Sequence, residues 1–148
     1  MLSAVYCNPQ RGPEVNHNLI KLEPGLYLVA TPLGSARDIT LRALDILASA
    51  DVLAAEDTRT ARKLLDIHGV PLAGRRIIAY HDHSHAKDRQ KVLHHIAEGK
   101  SVAYVSEAGT PLIADPGYQL VVDVRREGLS VSAAPGPAAC IAALTVAG

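Results

Sequence analysis

The chain contains no phenylalanine and no tryptophan, and these absences limit how its interior can be built. Because 148 residues suffice for one domain with a buried core, that core must be assembled mainly from Leu, Ile, Val and Ala. The same lack removes two of the aromatic side chains on which RNA bases stack. The formal net charge is +0, so no overall positive field attracts a polyanion. Composition therefore counts modestly against a nucleic-acid partner.

Cysteine and long apolar runs are also scarce. Cys7 and Cys140 are too few for a disulfide framework or a cysteine-rich metal site, so we expect a reducing, cytoplasmic location. The most apolar stretch, residues 129–148, is interrupted by Pro135, Gly136 and Pro137. No basic segment precedes an apolar run near the N-terminus, so the sequence predicts no membrane partner.

Two glycine-rich phosphate motifs are missing as well. The chain has neither G-x-G-x-x-G after a predicted strand nor G-x-x-x-x-G-K-[ST] anywhere. Such loops hold a pyrophosphate or a triphosphate at a helix N-terminus. Their absence disfavours binding of NAD or a nucleoside triphosphate.

What the sequence does contain is clearest in residues 102–127. An apolar, β-branched run over residues 102–105 predicts a buried strand. The polar loop SEAGTPLIAD follows, and Asp115 and Pro116 predict the N-cap and first turn of a helix that Gly128 closes. Regular structure thus holds this loop at both ends, as is typical of a functional loop.

The same strand, turn and helix pattern occurs five times along the chain. We expect the domain to start near Gly25 and residues 1–24, which contain three prolines and no sustained period, to form a disordered extension. The predicted strands are residues 26–31, 52–55, 77–80, 102–105 and 129–134. This alternation predicts an α/β fold: an open, mostly parallel five-stranded sheet with helices on both faces.

Each unusual motif comes directly after a predicted strand. In order these motifs are TPLGS, EDTR, YHDHSH, SEAGTP and PGPAA. The carboxyl ends of parallel strands lie at one edge of a sheet, which is where such sheets bind ligands. We therefore expect one site at that edge, although TPLGS is equally consistent with a plain turn.

Several charged side chains in these motifs have two interpretations. Glu56 and Asp57 could face a ribose or a cation, but Asp57 alone is more typical of a helix N-cap. Glu107 precedes Ala-Gly, where no helix begins, so an N-cap role does not explain it. Arg59, with Arg62 and Lys63, is either a solvated helix face or a set of phosphate contacts.

The remaining motifs are a histidine-rich loop and the sequence PGPAA. His81, His83 and His85 alternate in one loop but lack a cysteine or a distant fourth ligand, so we expect no metal. In PGPAA, Pro137 is predicted at the first helical position with Gly136 as the cap, which leaves N–H groups open for a ligand. The alternative is that the prolines only shape a corner.

Taken together, six segments closely resemble the N-terminal domain of the tetrapyrrole methylase superfamily. They are GLYLVATPLG, DIT, ADVLAAEDTR, YHDH, VSEAGTPLIADPGY and PGPAACIAAL. AAEDTR and SEAGTPLIADPG resemble the branch that transfers a methyl group from S-adenosylmethionine to a cytidine 2′-hydroxyl of small-subunit ribosomal RNA. The resemblance covers residues 25–148; Ser35 and Glu107 replace the usual asparagine and aspartate, and both keep a polar oxygen.

The resemblance implies a role for the loops after the first, fourth and fifth strands as a wall of the S-adenosylmethionine site. The implied wall residues are Pro32, Leu33, Gly34, Ser106, Glu107, Ala108, Gly109, Thr110, Pro111, Pro135, Gly136, Pro137 and Ala138. The implied RNA contacts are Arg59, His81, Asp82 and His83. Glu107, Asp57 and His81 are unranked candidates for a general base, since a ribose hydroxyl is a poor nucleophile.

Members of this family carry a second α/β domain, and the cofactor lies between the two. The resemblance therefore implies that this chain is the N-terminal half of a homodimeric enzyme, binds the cofactor weakly and methylates nothing alone. Two alternatives stay open. One is a methyltransferase that acts on a tetrapyrrole or another small acceptor, which the neutral charge favours. The other is a non-catalytic ligand-binding module.

Overall fold

A computed structural model describes residues 16–81, 86–113 and 117–148. Five parallel strands form one sheet in the order β3-β2-β4-β1-β5, which confirms the predicted α/β fold. The strands are β1 (Gly25–Val29), β2 (Val52–Ala55), β3 (Ile77–Ala79), β4 (Ser101–Val105) and β5 (Val131–Ala134). The helices are α1 (Leu41–Ser49), α2 (Thr58–Ile67), α3 (Ala86–Ala97), α4 (Tyr118–Arg126) and α5 (Ala139–Ala147).

The direction in which each connection crosses the sheet decides on which face its helix lies. From β1 the chain moves outward through β2 to β3, and then returns across β2 and β1 to form β4 and β5. Right-handed crossovers in opposite directions place their helices on opposite faces of a sheet. The apolar core is accordingly divided in two: α1 and α2 pack on one face, and α3 and α4 pack on the other.

The central strand β4 supplies both halves of the core. All five of its residues are buried. Ala103 and Val105 pack with the α1 and α2 side, whereas Val102 and Tyr104 pack with the α3 and α4 side. A strand covered on both faces is mostly apolar, which explains why residues 102–105 show no polar alternation. The buried Ser101 at the start of the strand has its hydroxyl paired with Asp51.

Two helices begin later than the sequence predicted. Helix α4 starts at Tyr118 after Gly117, not at Pro116, and Asp115 and Pro116 lie outside the described residues. Gly117 has φ 120° and a Cβ there would lie 3.0 Å from Leu112 and from Tyr104, so its backbone is held in a conformation that a helix cannot include.

Helix α5 starts at Ala139, and its N-cap is Ala138. The prediction of Pro137 as the first helical residue was therefore wrong. The Pro137 carbonyl accepts a hydrogen bond from the Thr110 hydroxyl at 2.8 Å, and Ala138 is extended. The Pro137 carbonyl is thus engaged by a distant loop at the point where the chain stays extended for one more residue.

Residues 16–24 form neither helix nor strand, but they lie alongside α1, to which they are hydrogen-bonded. The Asn18 N–H donates to Asp45 Oδ1 at 2.6 Å, and the Ile20 N–H donates to Ser49 Oγ at 2.9 Å. Leu22 packs against the core under α1. Residues 1–15 lie outside the described residues, so disorder there stays a prediction.

Helix α5 differs from the other four helices in one respect: none of its residues is buried. Ile141, Leu144 and Val146 are 62%, 69% and 87% exposed. Among the described residues, no helix is both long and apolar enough to cross a membrane.

Candidate functional site

The loops after β1, β4 and β5 form a connected surface at the carboxyl edge of the sheet. Thr31 and Gly109 join the first two loops through a pair of backbone hydrogen bonds of 2.8 and 3.0 Å. Gly109 has φ 82°, and a Cβ there would lie 3.0 Å from Leu33 Cδ2. Because a positive φ of this size is rare for other residues, the turn that brings the two loops together favours glycine at position 109.

The loop after β5 contacts both of the others. The Thr110 hydroxyl donates to the Pro137 carbonyl, as described above, and so ties this loop to the one after β4. A Cβ on Gly136 would lie 2.8 Å from the Cβ of Ala30, where the first loop leaves β1. Three segments that are far apart in sequence thus touch where the sequence analysis expected one site.

Within the loop after β4, the side chains divide into buried and exposed positions. Ser106 is 3% exposed, and its hydroxyl lies 3.3 Å from the Gly109 carbonyl of the same loop. Glu107 and Ala108 are exposed. The Ser106 hydroxyl therefore shapes the turn, while Glu107 and Ala108 are available to a ligand.

The loop after β2 meets the loop after β4 through Glu56. The Glu56 N–H donates to the Val105 carbonyl at 3.1 Å, and Glu56 Oε2 accepts the Glu107 N–H at 2.9 Å. From its place at a strand end, Glu56 was expected to face a ribose or a cation, and its contact with the loop after β4 was not predicted. This contact of Glu56 follows from the adjacency of β2 and β4 in the sheet. The sequence pattern contains no signal for that adjacency.

Asp57 is the N-cap of α2. Its carboxylate accepts the N–H groups of Arg59 and Thr60 at 2.7 and 3.2 Å. The pKa of Asp57 is lowered below its usual range, most strongly by the hydrogen bond from the Arg59 guanidinium and next by these two N–H groups. The N-cap interpretation of Asp57 is thus confirmed, and its carboxylate is engaged by these hydrogen bonds.

Two of the four predicted RNA contacts, Arg59 and His81, are described, and each follows a strand at this edge. Arg59 is 92% exposed and pairs with Asp57 at 3.3 Å. His81 is exposed directly after Tyr80, whereas Asp82 and His83 lie outside the described residues. Arg62 and Lys63 are exposed on the same helix as Arg59. In the described ranges, no cluster of three His, Cys, Asp or Glu side chains could hold a metal ion.

The family model described as "Tetrapyrrole (Corrin/Porphyrin) Methylases" matches residues 25–148. The chain belongs to the tetrapyrrole methylase family. The matched range begins at β1 and includes all the loops of the candidate site.

Within this family, the chain is most informatively compared with curated relatives that share one name. Over 127 residues the chain is 52% identical to ribosomal RNA small subunit methyltransferase I of Mesorhizobium japonicum, a match that spans 86% of this chain and 42% of that protein. The protein of the same name from Vibrio cholerae is 47% identical, over 84% of this chain and 42% of its own length. The chain thus spans less than half the length of these relatives.

Solved structures agree on the fold of the family. Cobalt precorrin-4 methyltransferase is similar with a TM-score of 0.63 and 22% identity, over 95% of this chain and 54% of that one. Uroporphyrin-III-C-methyltransferase from Thermus thermophilus has a TM-score of 0.61 and 22% identity, over 83% of this chain and 51% of that one. At this identity the likeness supports the architecture alone.

Proposed function

We propose that this chain supplies one wall of the S-adenosylmethionine site of an enzyme that methylates a cytidine 2′-hydroxyl of small-subunit ribosomal RNA. The observation that carries this proposal is the 52% identity, over 127 residues, to a ribosomal RNA small subunit methyltransferase I. Tetrapyrrole methyltransferases share the fold at only 22% identity.

The residues at the carboxyl edge fit such a cofactor. Gly34 has no atom within 4 Å of the position a Cβ would take, so the space beside the first loop is open. Gly136 and Ala108 are small and exposed, and they leave their backbone groups accessible. S-adenosylmethionine has no phosphate and therefore needs no glycine-rich phosphate loop. The implied wall residues of the three loops would hold it.

The chemistry of the chain's own residues is binding, orientation and proton transfer. When bound, S-adenosylmethionine supplies an electrophilic methyl group on a sulfonium. The protein's task is to hold the ribose hydroxyl in reacting geometry and to accept its proton. Because the pKa of Asp57 is lowered and its carboxylate caps α2, we favour the exposed Glu107 or His81 as the proton acceptor.

Contacts to RNA and to other protein segments complete the proposal. Arg59, His81, Asp82 and His83 would face the RNA near the reacting ribose, where the cationic Arg59 could contact phosphates. The exposed Ile141, Leu144 and Val146 on α5 are consistent with an additional domain or subunit on that side. The match covers 42% of the Mesorhizobium japonicum protein, and this supports our proposal that the active enzyme has a second domain. We further propose that it is a cytoplasmic homodimer.

The direct test uses the product of the complete gene with labelled S-adenosylmethionine. Two acceptors are offered separately: small ribosomal subunits from a strain without the modification, and tetrapyrrole precursors. We expect label in the ribosomal RNA that is recovered as 2′-O-methylcytidine after digestion to nucleosides. Label on a tetrapyrrole, or on a base instead of a ribose, would contradict the proposal.

A further inference from the structure

Glu56 makes two contacts with the segment that leads from β4 into the loop after it. The Glu56 N–H extends the pairing of β2 with β4 by donating to the Val105 carbonyl at 3.1 Å. The Glu56 carboxylate then accepts the Glu107 N–H at 2.9 Å. These contacts fix the backbone on both sides of the buried Ser106, and so they fix where the loop begins to turn.

The position of Glu107 in this loop makes that contact important. Its backbone is held by Glu56, while its own side chain is exposed at the tip of the turn. Gly109 anchors the other end of the same turn to Thr31. The hydrogen bond from the Glu107 N–H to Glu56 therefore helps to set the direction of the Cα–Cβ bond from which the exposed side chain extends.

We propose that Glu56 is a positioning residue that orients Glu107, acting as a hydrogen-bond acceptor and not as a base. The catalytic consequence rests on the function proposed above, whereas the structural part does not. A backbone N–H needs a single acceptor oxygen, and the side-chain amide of glutamine provides one. Removal of the acceptor lets the loop turn elsewhere, and misplacement of a reacting group by about 1 Å can cost about 100-fold in rate.

The opposite end of β2 provides a matched control. Asp51 Oδ2 accepts the Ser101 N–H at 2.8 Å, so a carboxylate at each end of β2 binds an N–H at the corresponding end of β4. Asp51 lies at the amino edge of the sheet, away from the candidate site. Asp51→Ala removes a similar contact between the same strands and should leave the loop after β4 unchanged.

The first test measures the hydrogen exchange rate of the Glu107 amide by NMR in three variants of this chain. In Glu56→Ala we expect exchange at least about 10-fold faster, since the amide loses its protecting bond. In Glu56→Gln and in Asp51→Ala the rate should stay within about 3-fold of the unsubstituted chain. Unchanged exchange in Glu56→Ala would overturn the proposal, whatever the enzyme methylates.

The second test measures kcat and KM of the complete gene product with the same substitutions. Glu56→Ala should lower kcat by about 10 to 100-fold, and Glu56→Gln should restore most of it. If Glu56→Gln lost as much activity as Glu56→Ala, the carboxylate would act through its charge and the positioning role would be wrong. If the unsubstituted enzyme methylated no RNA, the proposed function would fail, while the exchange measurement would still decide the structural role.

Discussion

The two ends of the β2 and β4 pair use the same kind of contact in different surroundings. At the amino edge, Asp51 Oδ2 accepts both the N–H and the hydroxyl of Ser101, and Ser101 Oγ accepts the Asp51 N–H at 3.0 Å. At the carboxyl edge, Glu56 accepts one N–H, and the side chain of Glu107 stays exposed. A closed network stabilises the sheet at one edge, while the other edge keeps a carboxylate available for chemistry.

The largest effect that this comparison predicts follows from Glu107→Ala. Loss of the exposed carboxylate should lower methyl transfer by at least about 100-fold, the usual contribution of a general base. Stability should change little, because the Glu107 contact with Glu56 uses the backbone N–H, which alanine keeps. Methyl transfer and thermal unfolding of the same preparation check both statements. Unchanged activity would remove Glu107 from the site.

A smaller effect, on stability and on cofactor binding, is expected at the contact between the loops after β1 and β5. In Gly136→Ala the new Cβ would lie 2.8 Å from the Cβ of Ala30, which forces the loops apart and should cost about 1 to 3 kcal/mol of stability. Binding of S-adenosylmethionine, followed by calorimetry, should weaken as well.

Gly34→Ala is the control for the stability measurement, since no atom lies within 4 Å of its Cβ position. Its free energy of unfolding should not fall. Equal stability of the Gly136→Ala variant and the unsubstituted chain would show that the two loops do not depend on each other.

The smallest effect is expected at the amino edge. Asp51→Ala should cost about 1 to 2 kcal/mol at neutral pH, because it removes hydrogen bonds to a charged group at the surface. The hydrogen bond from the Ser101 hydroxyl, and then that from its N–H, lowers the pKa of Asp51 below its usual value of 3.8.

The sign of the pH dependence follows from that lowered pKa. The stabilisation by Asp51 is fully present above pH 3.8 and is lost as the pH falls through the lower pKa of the folded state. The difference between Asp51→Ala and the unsubstituted chain should therefore shrink in acid, as measured by urea unfolding at several pH values. If the difference in stability between the two proteins grew in acid, the lowered pKa of Asp51 would be contradicted.

Much of the fold could be predicted because the strands are apolar runs of the right length. The predicted bounds of β2 match the structure, and those of β4 differ by one residue. The placement of all five loops at one edge follows from parallel strands alone. The N-cap role of Asp57 could be recognised because it depends on residues two and three positions away.

What could not be predicted depends on contacts between segments that are distant in sequence. The role of Glu56 requires β2 beside β4, although β3 comes between them in the chain. The late start of α5 is accompanied by the hydrogen bond from Thr110 to the Pro137 carbonyl, which links residues 27 positions apart. Periodicity and propensity describe neighbours along the chain, so they contain no signal for either contact.

The most direct test of the division between the two edges is an NMR titration of this chain with S-adenosylmethionine. We predict changes in the amide shifts of the non-proline residues in the loops that form the proposed cofactor wall, which are Thr31, Leu33, Gly34, residues 106–110, Gly136 and Ala138. The amides of Asp51 and Ser101, at the opposite edge, should stay unchanged. Shifts that are absent from the three loops, or that are centred on Asp51 and Ser101, would contradict a cofactor site at the carboxyl edge.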